Sequence, residues 1–301
     1  MSTITDVIVP EVFGESVEAA LEGMPALYGT DIVVVDPTLN AVKTQTGDDI
    51  TVPYLNHVGE AEEVTGDTGL NPKTPTDDSE VSTIRRVGIA IKTDQLTRLA
   101  ALDDPYTTGG QQAAESMLKK VDLMLIEALT SSVLPATRKT AAGTWPLIED
   151  RYGDATGPHL IEPDDLVNTR FKFGDEQKPG EFGGYVFHSK VLQDLMLLKE
   201  NTGKLMYQEA TQDTLPALAG RPIIPSDAMT KNTTVSPTKY TTALCKKGAI
   251  ALWWKLKIEA LYGIDPYTGN EVLSLFLMCV IHRYRRMPGY TKGGVALLYT
   301  K

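Results

Sequence analysis

A regular apolar stripe predicts a long amphipathic helix over residues 111–129. Apolar residues recur at i, i+3, i+4 and i+7, so they share one face of a helix. The members of the stripe are Ala114, Met117, Leu118, Val121, Met124, Leu125 and Ala128. Asp103, Asp104 and Pro105 precede it, and acidic residues followed by proline are typical of a helix start. We therefore expect one long helix with a single buried face.

In the C-terminal part of the chain, the helical period gives way to a strict alternation of side chains between two faces. Apolar residues at 252, 254, 256, 258 and 260 alternate with Trp253, Lys255, Lys257 and Glu259, which is the period of a β-strand. Residues 263–270 predict a turn, followed by a partner strand over Val272–Arg286 and a short strand over Val295–Tyr299. Trp253 and Trp254 should then point to opposite faces, one into the core and one towards a subunit contact.

Residues 136–245 alternate between helix and strand patterns. Pro163 opens a predicted helix that Gly174 closes, and residues 185–188 predict a short strand. Ser189 is the predicted cap of a Leu-rich helix that runs to Glu200. Residues 220–227 predict a buried strand and a turn. This part of the chain should form an α/β unit.

The segment from Thr44 to Thr93 has the most unusual pattern in the chain. Two runs of β propensity, Ile50–Tyr54 and Thr83–Lys92, flank an acidic stretch rich in Gly, Thr and Pro. That stretch holds too few large apolar residues to form a packed core of its own. We expect a long projecting hairpin, which is marginal in isolation and gains order by lying on another subunit.

Residues 1–45 have the pattern of an extended arm. A short amphipathic stretch over residues 10–21 ends at Gly23 and Pro25. Thr30–Asp36 then predicts a strand that Pro37 stops.

Composition excludes several classes of protein. The chain of 301 residues is 42% hydrophobic and 23% charged, which is ordinary for a folded domain. Its net charge of -10 argues against general nucleic-acid binding through a basic surface. The first Lys or Arg is Lys43, so the start lacks a signal peptide's cationic region, and no apolar run approaches the about 20 residues of a membrane span. Cys245 and Cys279 form no metal or redox motif and fit small buried hydrophobes in a reducing cytosol.

No catalytic, cofactor or metal site is predicted. The four histidines are scattered, and His188 at a strand-to-helix junction is expected to make a structural hydrogen bond. Gly203-Lys204 lacks the leading Gly and the Ser or Thr of a phosphate loop. Asp265, Thr268 and Asn270 fit a hairpin turn better than a cation loop.

The order of these elements resembles that of the major capsid proteins of tailed bacteriophages, which share the Hong Kong 97-type fold. The resemblance rests on element order and spacing over nearly the whole chain. It implies an α+β capsid fold with an N-terminal arm, an extended β-hairpin loop, a long spine helix, a peripheral β-sheet and an α/β apical domain. The implied division is an arm over 1–43, the hairpin loop over 44–93, a peripheral domain with the spine helix over 94–139, the apical domain over 140–245, and return strands of both domains over 246–301.

The resemblance also implies a structural function without enzyme activity. Subunits are expected to assemble into hexamers and pentamers of an icosahedral head shell that encloses phage DNA, which they contact non-specifically. Expected partners are further copies, a portal, possible decoration proteins, and a separate scaffolding protein or none, since no pro-domain-sized segment precedes the arm. Assembly is expected in the host bacterial cytoplasm, without a membrane. The alternatives are an encapsulin, a nanocompartment of the same fold enclosing a cargo enzyme, and a soluble α/β enzyme.

Charge is segregated along the chain, and this suggests where subunits meet. The hairpin segment is acidic, whereas the stretch from Lys239 onwards is basic. Many weak ion pairs repeated by symmetry can set register. The predicted inter-subunit contacts are Glu60, Glu62, Glu63, Asp67, Lys73, Asp77, Asp78, Arg283, Arg285 and Arg286. Some relatives form an isopeptide bond between a loop Lys and a neighbour's Asn, for which Lys73 and Asn270 are the conceivable pair.

Overall fold

The structure is a computed structural model that describes residues 27–35, 47–55, 63, 72–93, 105–130, 147–153, 157–178, 180–198, 221–264, 270–284 and 292–301. Its helices are α1 (Pro105–Thr130), α2 (Pro163–Phe171) and α3 (Ser189–Met196), with a short 3-10 turn at Gly174–Glu176. Its strands are β1 (Val33–Val35), β2 (Asp49–Leu55), β3 (Asp77–Thr83), β4 (Arg85–Thr93), β5 (Leu147–Asp150), β6 (Phe182–Phe187), β7 (Ile223–Pro225), β8 (Lys231–Asn232), β9 (Lys239–Lys246), β10 (Ile250–Ile264), β11 (Glu271–Arg283) and β12 (Val295–Thr300).

A four-stranded sheet in the order β1-β10-β11-β4 carries the long helix. β10 and β11 form an antiparallel hairpin from Ile250 opposite Arg283 to Ile264 opposite Glu271. β4 pairs antiparallel with β11, and β1 lies parallel to the first three residues of β10. The predicted hairpin of β10 and β11 is confirmed, although register shifts after Trp254 interrupt the alternation expected there.

A six-stranded sheet in the order β5-β12-β9-β6-β7, with β8 beside β9, forms the second half of the molecule. α2 and α3 cover one face of it, where Phe173, Phe187 and Leu195 are buried in a common cluster. β12, far along the chain, pairs with β5 on one side and β9 on the other. The α/β unit predicted over 136–245 therefore also contains the C-terminal strand.

The long helix is confirmed, and it begins earlier than predicted. α1 starts at Pro105 rather than at residue 111 and ends at Thr130, because proline is well accommodated in the first turn of a helix. Met117, Val121 and Leu125 are buried as the stripe predicts, while Ala128 is half-buried.

One hydrophobic core joins the helix to both sheets. It contains Leu125 and Leu129 of α1, Leu252 and Leu277 of the four-stranded sheet, and Ala243 and Leu297 of the six-stranded sheet. Each fully buried Leu contributes about 1.5–3 kcal/mol relative to an exposed one. The two sheets are therefore held together mainly by apolar packing.

Helix starts in the six-stranded half differ in detail from the prediction. α2 does begin at Pro163, and Glu162 and Asp165 form a reciprocal capping box. The N-cap of α3 is His188 and not Ser189, since the His188 Nδ1 accepts a hydrogen bond from the backbone N–H of Lys190 at 3.1 Å. Glu200, the predicted end of that helix, lies outside the described residues.

The N-terminal predictions are met only in part. Val33–Val35 is a strand, shorter than the predicted Thr30–Asp36, because residues 28–32 form turns. The amphipathic stretch over residues 10–21 lies outside the described residues. No helix in the described part of the chain is long and apolar enough to span a membrane.

Candidate assembly interface

The paired strands of the predicted hairpin are present, with a different return strand, while residues 56–62 and 64–71 between them lie outside the described residues. β2 and β3 pair antiparallel from Asp49 opposite Thr83 to Leu55 opposite Asp77, as a two-stranded sheet of their own. The second predicted run, Thr83–Lys92, lies almost entirely in β4 of the four-stranded sheet. Polar residues from Asp77 onwards, expected in the loop, instead form β3, because pairing with β2 outweighs their low β propensity.

The base of this hairpin packs on the face of the four-stranded sheet that lies away from α1. Ile50 is buried in a cluster with Ala251, Trp253 and Val280. Trp254, the next residue, packs instead against the main core and meets the edge of Tyr28 at 6.2 Å between ring centres. The two tryptophans point to opposite faces, as predicted, and Trp253 secures the hairpin base.

A buried polar cluster, which we call the hairpin clasp (Glu80, Ser82 and His282), reinforces this apolar contact. The Ser82 Oγ lies 2.7 Å from the His282 Nδ1, and the Glu80 Oε2 lies 3.2 Å from the His282 Nε2. The His282 ring stacks on Trp253 at 5.8 Å and meets Tyr284 edge-on at 5.0 Å. The clasp joins β3 to β11 across 200 residues of sequence, and sequence reasoning missed it.

The clasp contains the residue types of a hydrolytic triad, but its burial favours a structural role. Ser82 and Glu80 are each only 9% exposed and His282 is 4% exposed. A nucleophile must reach the substrate as well as its base. The arrangement therefore positions the hairpin rather than presenting a reactive hydroxyl.

Arg283, one of the predicted contact residues, is bonded within its own chain. It follows His282 on β11 but is buried against the opposite face, where its guanidinium donates a hydrogen bond to the carbonyl of Leu129 in the last turn of α1. Burial lowers the pKa of Arg283 to about 10. Its side chain satisfies a helix C-terminus of its own chain, and its predicted role as an inter-subunit contact stays a prediction.

The remaining predicted contact residues stay predictions. Glu63 and Lys73 are exposed, and Asp77 and Asp78 lie on β3. Glu60, Glu62, Asp67, Arg285 and Arg286 lie outside the described residues. Asn270, the conceivable crosslink partner of Lys73, is half-buried just before β11.

The distal part of β10 offers a further contact surface. Leu261, Tyr262 and Ile264 are each about half exposed there. β1 pairs with β10 only at residues 250–252, and within the described ranges no other strand pairs with that edge of β10. Apolar side chains beside a strand edge favour contact with another chain.

Other candidate chemistry is structural in the described ranges. No group of three or more His, Cys, Asp or Glu side chains there could hold a metal ion. Cys245 and Cys279 are buried as predicted, and burial raises the pKa of each thiol to about 12. His188 makes the expected structural hydrogen bond as a helix cap, and burial lowers its pKa.

Comparison with known proteins identifies the fold. No family model and no curated protein matches the sequence. Solved structures do match: a native GTA particle capsid, with a TM-score of 0.64 and 13% identity, covers 100% of this chain and 94% of its own. The chain has the fold of phage-type capsid proteins.

Two phage structures agree with this result. The capsid of Ralstonia phage GP4 matches with a TM-score of 0.60 and 12% identity, over 89% of this chain and 86% of that one. The cyanophage Pam1 capsid matches with a TM-score of 0.64 and 11% identity, over 92% and 93%. The predicted α+β, Hong Kong 97-type capsid fold is confirmed.

Proposed function

We propose that this capsid-fold chain is the major capsid protein of a tailed-phage-type particle. Copies assemble as hexamers and pentamers into an icosahedral shell around double-stranded DNA. The observation that carries the proposal is the agreement of the fold with solved capsids over the whole chain. The matched structures are capsids of a GTA particle and of phages, which favours this function over the nanocompartment alternative.

The mechanism is assembly rather than catalysis. The hairpin of β2 and β3 is fixed to its own subunit at its base, through Ile50 and the hairpin clasp. Its far end can then lie on a neighbouring subunit, with the acidic residues between β2 and β3 facing basic surface. Interfaces of this kind bury large areas against several neighbours, so weak contacts add up over the shell.

Each half of the molecule has its own proposed role. We propose that the six-stranded sheet with α2 and α3 forms the apical domain around the capsomer axes. The four-stranded sheet with α1 forms the peripheral domain. The net charge of -10 supports only non-specific contact with packaged DNA. Portal, scaffolding and decoration proteins are the further partners, and assembly takes place in the host bacterial cytoplasm before the subunit becomes part of the virion.

Expression of the full chain with a matched hairpin variant tests the function. In the variant, residues 56–76, between Leu55 and its partner Asp77, are replaced by a two-residue Asn-Gly turn, which leaves the hairpin clasp intact. We expect shells or capsomers from the natural chain by electron microscopy and sedimentation, and folded single subunits from the variant. Single subunits from both chains at all concentrations and salt conditions would contradict the proposal. Nucleic acid inside particles that form in phage-infected cells supports a capsid. A protein cargo inside the particles supports a nanocompartment.

Charge reversal tests the proposed contact between subunits. Arg285→Glu with Arg286→Glu should reduce the yield of shells while the far-ultraviolet circular dichroism of the subunit stays unchanged. Lys301→Glu is the control, because it changes charge on the same C-terminal stretch outside the predicted contacts. Unchanged shell yield in the double variant would remove these arginines from the interface. A ladder of covalent oligomers on a denaturing gel, lost in both Lys73→Arg and Asn270→Ala, would establish the crosslink between Lys73 and Asn270.

A further inference from the structure

The segment Leu27–Val35 lies at the junction between the two sheets. The chain passes from β9 to β10 there through the short turn 247–249. Leu27 and Ile32 are fully buried in the core that both sheets share. The segment thus lies between the two sheets, beside the connection from β9 to β10.

On one side, the segment is pressed against β6 of the six-stranded sheet. A Cβ added to Gly183 would lie 2.8 Å from the Ile32 Cγ1 and 3.3 Å from the Ile32 nitrogen. Real Cβ atoms do not approach other atoms at 2.8 Å. A side chain at 183 would therefore displace the Ile32 side chain and press on the Ile32 backbone.

On the other side, the segment is bonded to the turn and to β10. The Gly248 N–H donates to the Asp31 carbonyl at 2.8 Å, and the Ile250 N–H donates to the Ile32 carbonyl at 3.2 Å. The Lys247 Nζ forms an ion pair with Asp31 at 2.7 Å. These contacts attach the segment to the four-stranded sheet and to the connection itself.

We propose that Leu27–Val35 is a strap that sets the angle between the two sheets. One short segment touches β6, the turn 247–249 and β10, so rotation of one sheet relative to the other must break its contacts. Only three residues of β1 pair with β10, and an element with so few backbone bonds can open without unfolding of the core. The strap follows residues 1–26, the predicted N-terminal arm, so a neighbouring subunit that holds the arm also acts on the angle between the sheets.

Two variants of the full chain loosen the strap from opposite sides. Gly183→Ala adds the clashing Cβ on β6, and Ile32→Ala removes the strap's own buried side chain. Gly263→Ala is the control, since a Cβ there meets nothing within 4 Å. Hydrogen exchange of the Gly248 and Ile250 amides reports release of the strap, and exchange at Leu125 in α1 reports the state of the core.

Pulsed electron–electron double resonance between spin labels at Ser116→Cys and Asn168→Cys measures the distance between α1 and α2. A change in the angle between the sheets changes this distance. Both positions are exposed, on α1 and α2, and the buried natural cysteines do not compete for the label. In both strap variants we expect exchange at Gly248 and Ile250 to rise about tenfold, unchanged exchange at Leu125, and a broader distance distribution. The control should match the natural chain.

Three results would overturn the proposal. One is faster exchange at Gly248 and Ile250 with an unchanged distance distribution, because the strap would then be released without any change in angle. Another is unchanged exchange in both variants. The third is equally fast exchange at Leu125, which would mean that the segment has no independent opening. These measurements use unassembled subunits, so they do not depend on whether the chain forms shells.

Discussion

His282 and Arg283 are adjacent on β11, and their side chains make contacts on opposite faces of the sheet. His282 lies between Ser82 and Glu80 at the hairpin base, and Arg283 bonds the carbonyl of Leu129 at the end of α1. The end of one strand therefore anchors both the projecting hairpin and the long helix. Displacement of β11 at this point must affect both elements together.

Loss of the Ser82 hydroxyl should weaken the hairpin base. Ser82→Ala removes a buried hydrogen bond to His282 and leaves Nδ1 unsatisfied, so the free energy of unfolding should fall by about 1–3 kcal/mol. Thr83→Ala is the matched control, because the Thr83 hydroxyl bonds Asp49 at an exposed position, 2.9 Å away. Urea denaturation measures the free energy of unfolding of both variants. Equal effects of the two substitutions would show that the clasp adds no stability.

Replacement of Arg283 should destabilise the subunit itself. Arg283→Met removes a charge-assisted hydrogen bond to the end of α1, with an expected loss of about 1.5–3 kcal/mol. Arg85→Met removes only an exposed ion pair with Glu127, at 2.7 Å, and should change stability by about 0–1 kcal/mol. Thermal and urea unfolding of the two variants measure the difference. If Arg283→Met unfolds like the natural chain, the helix-capping role is wrong.

Lys246 should make stability depend on alkaline pH. Its Nζ is buried 3.7 Å from Glu176 and 4.0 Å from Glu181, and burial lowers the pKa of the amine below its usual 10.5. Between the folded-state pKa and 10.5 the unfolded chain binds more protons, so this group's contribution to stability increases as pH rises.

Comparison with Lys246→Met isolates that contribution. The free energy of unfolding of the natural chain, relative to the variant, should increase as pH is raised towards 10.5. Urea denaturation at several pH values measures this difference, in which the effects of other groups such as Tyr299 cancel. Parallel curves for the two proteins would contradict the lowered pKa.

Gly88 should be intolerant of a side chain. A Cβ there would lie 2.5 Å from the Phe276 Cδ1 and 3.1 Å from the Leu275 carbonyl oxygen. Gly88→Ala should therefore cost about 1–3 kcal/mol of stability, as overpacking does, whereas Gly263→Ala on the open part of β10 should have little effect. Phe276→Leu should restore part of the loss in the double variant, measured as a double-mutant cycle. A purely additive cycle would contradict this contact.

Periodicity was sufficient to predict the parts of the fold that bury one continuous face. α1 and the hairpin of β10 and β11 follow from it because their apolar residues contact the core directly. β3 could not be predicted in this way, since Asp78, Ser79 and Glu80 carry no strand pattern and their pairing with β2 is a long-range contact. For the same reason Thr83–Lys92, predicted as the return strand of the hairpin, lies almost entirely in β4 of the four-stranded sheet.

The candidate site was predictable in outline but not in its details. Composition predicts a hairpin, because the acidic stretch between its strands cannot form a core, and its contact with another subunit stays a prediction. The hairpin clasp depends on a contact between Ser82 and His282 that no local pattern encodes. The charge of Arg283 is evident from the sequence, but its burial and its bond to the carbonyl of Leu129 depend on long-range packing.

The placement of β12 has a consequence for how subunits are made. This strand comes last among the described strands, yet it fills the position between β5 and β9. A chain still on the ribosome therefore has a gap in that sheet until residue 300 has emerged. Until then β5 and β9 lack the strand that lies between them, so this sheet is completed only when translation has passed β12.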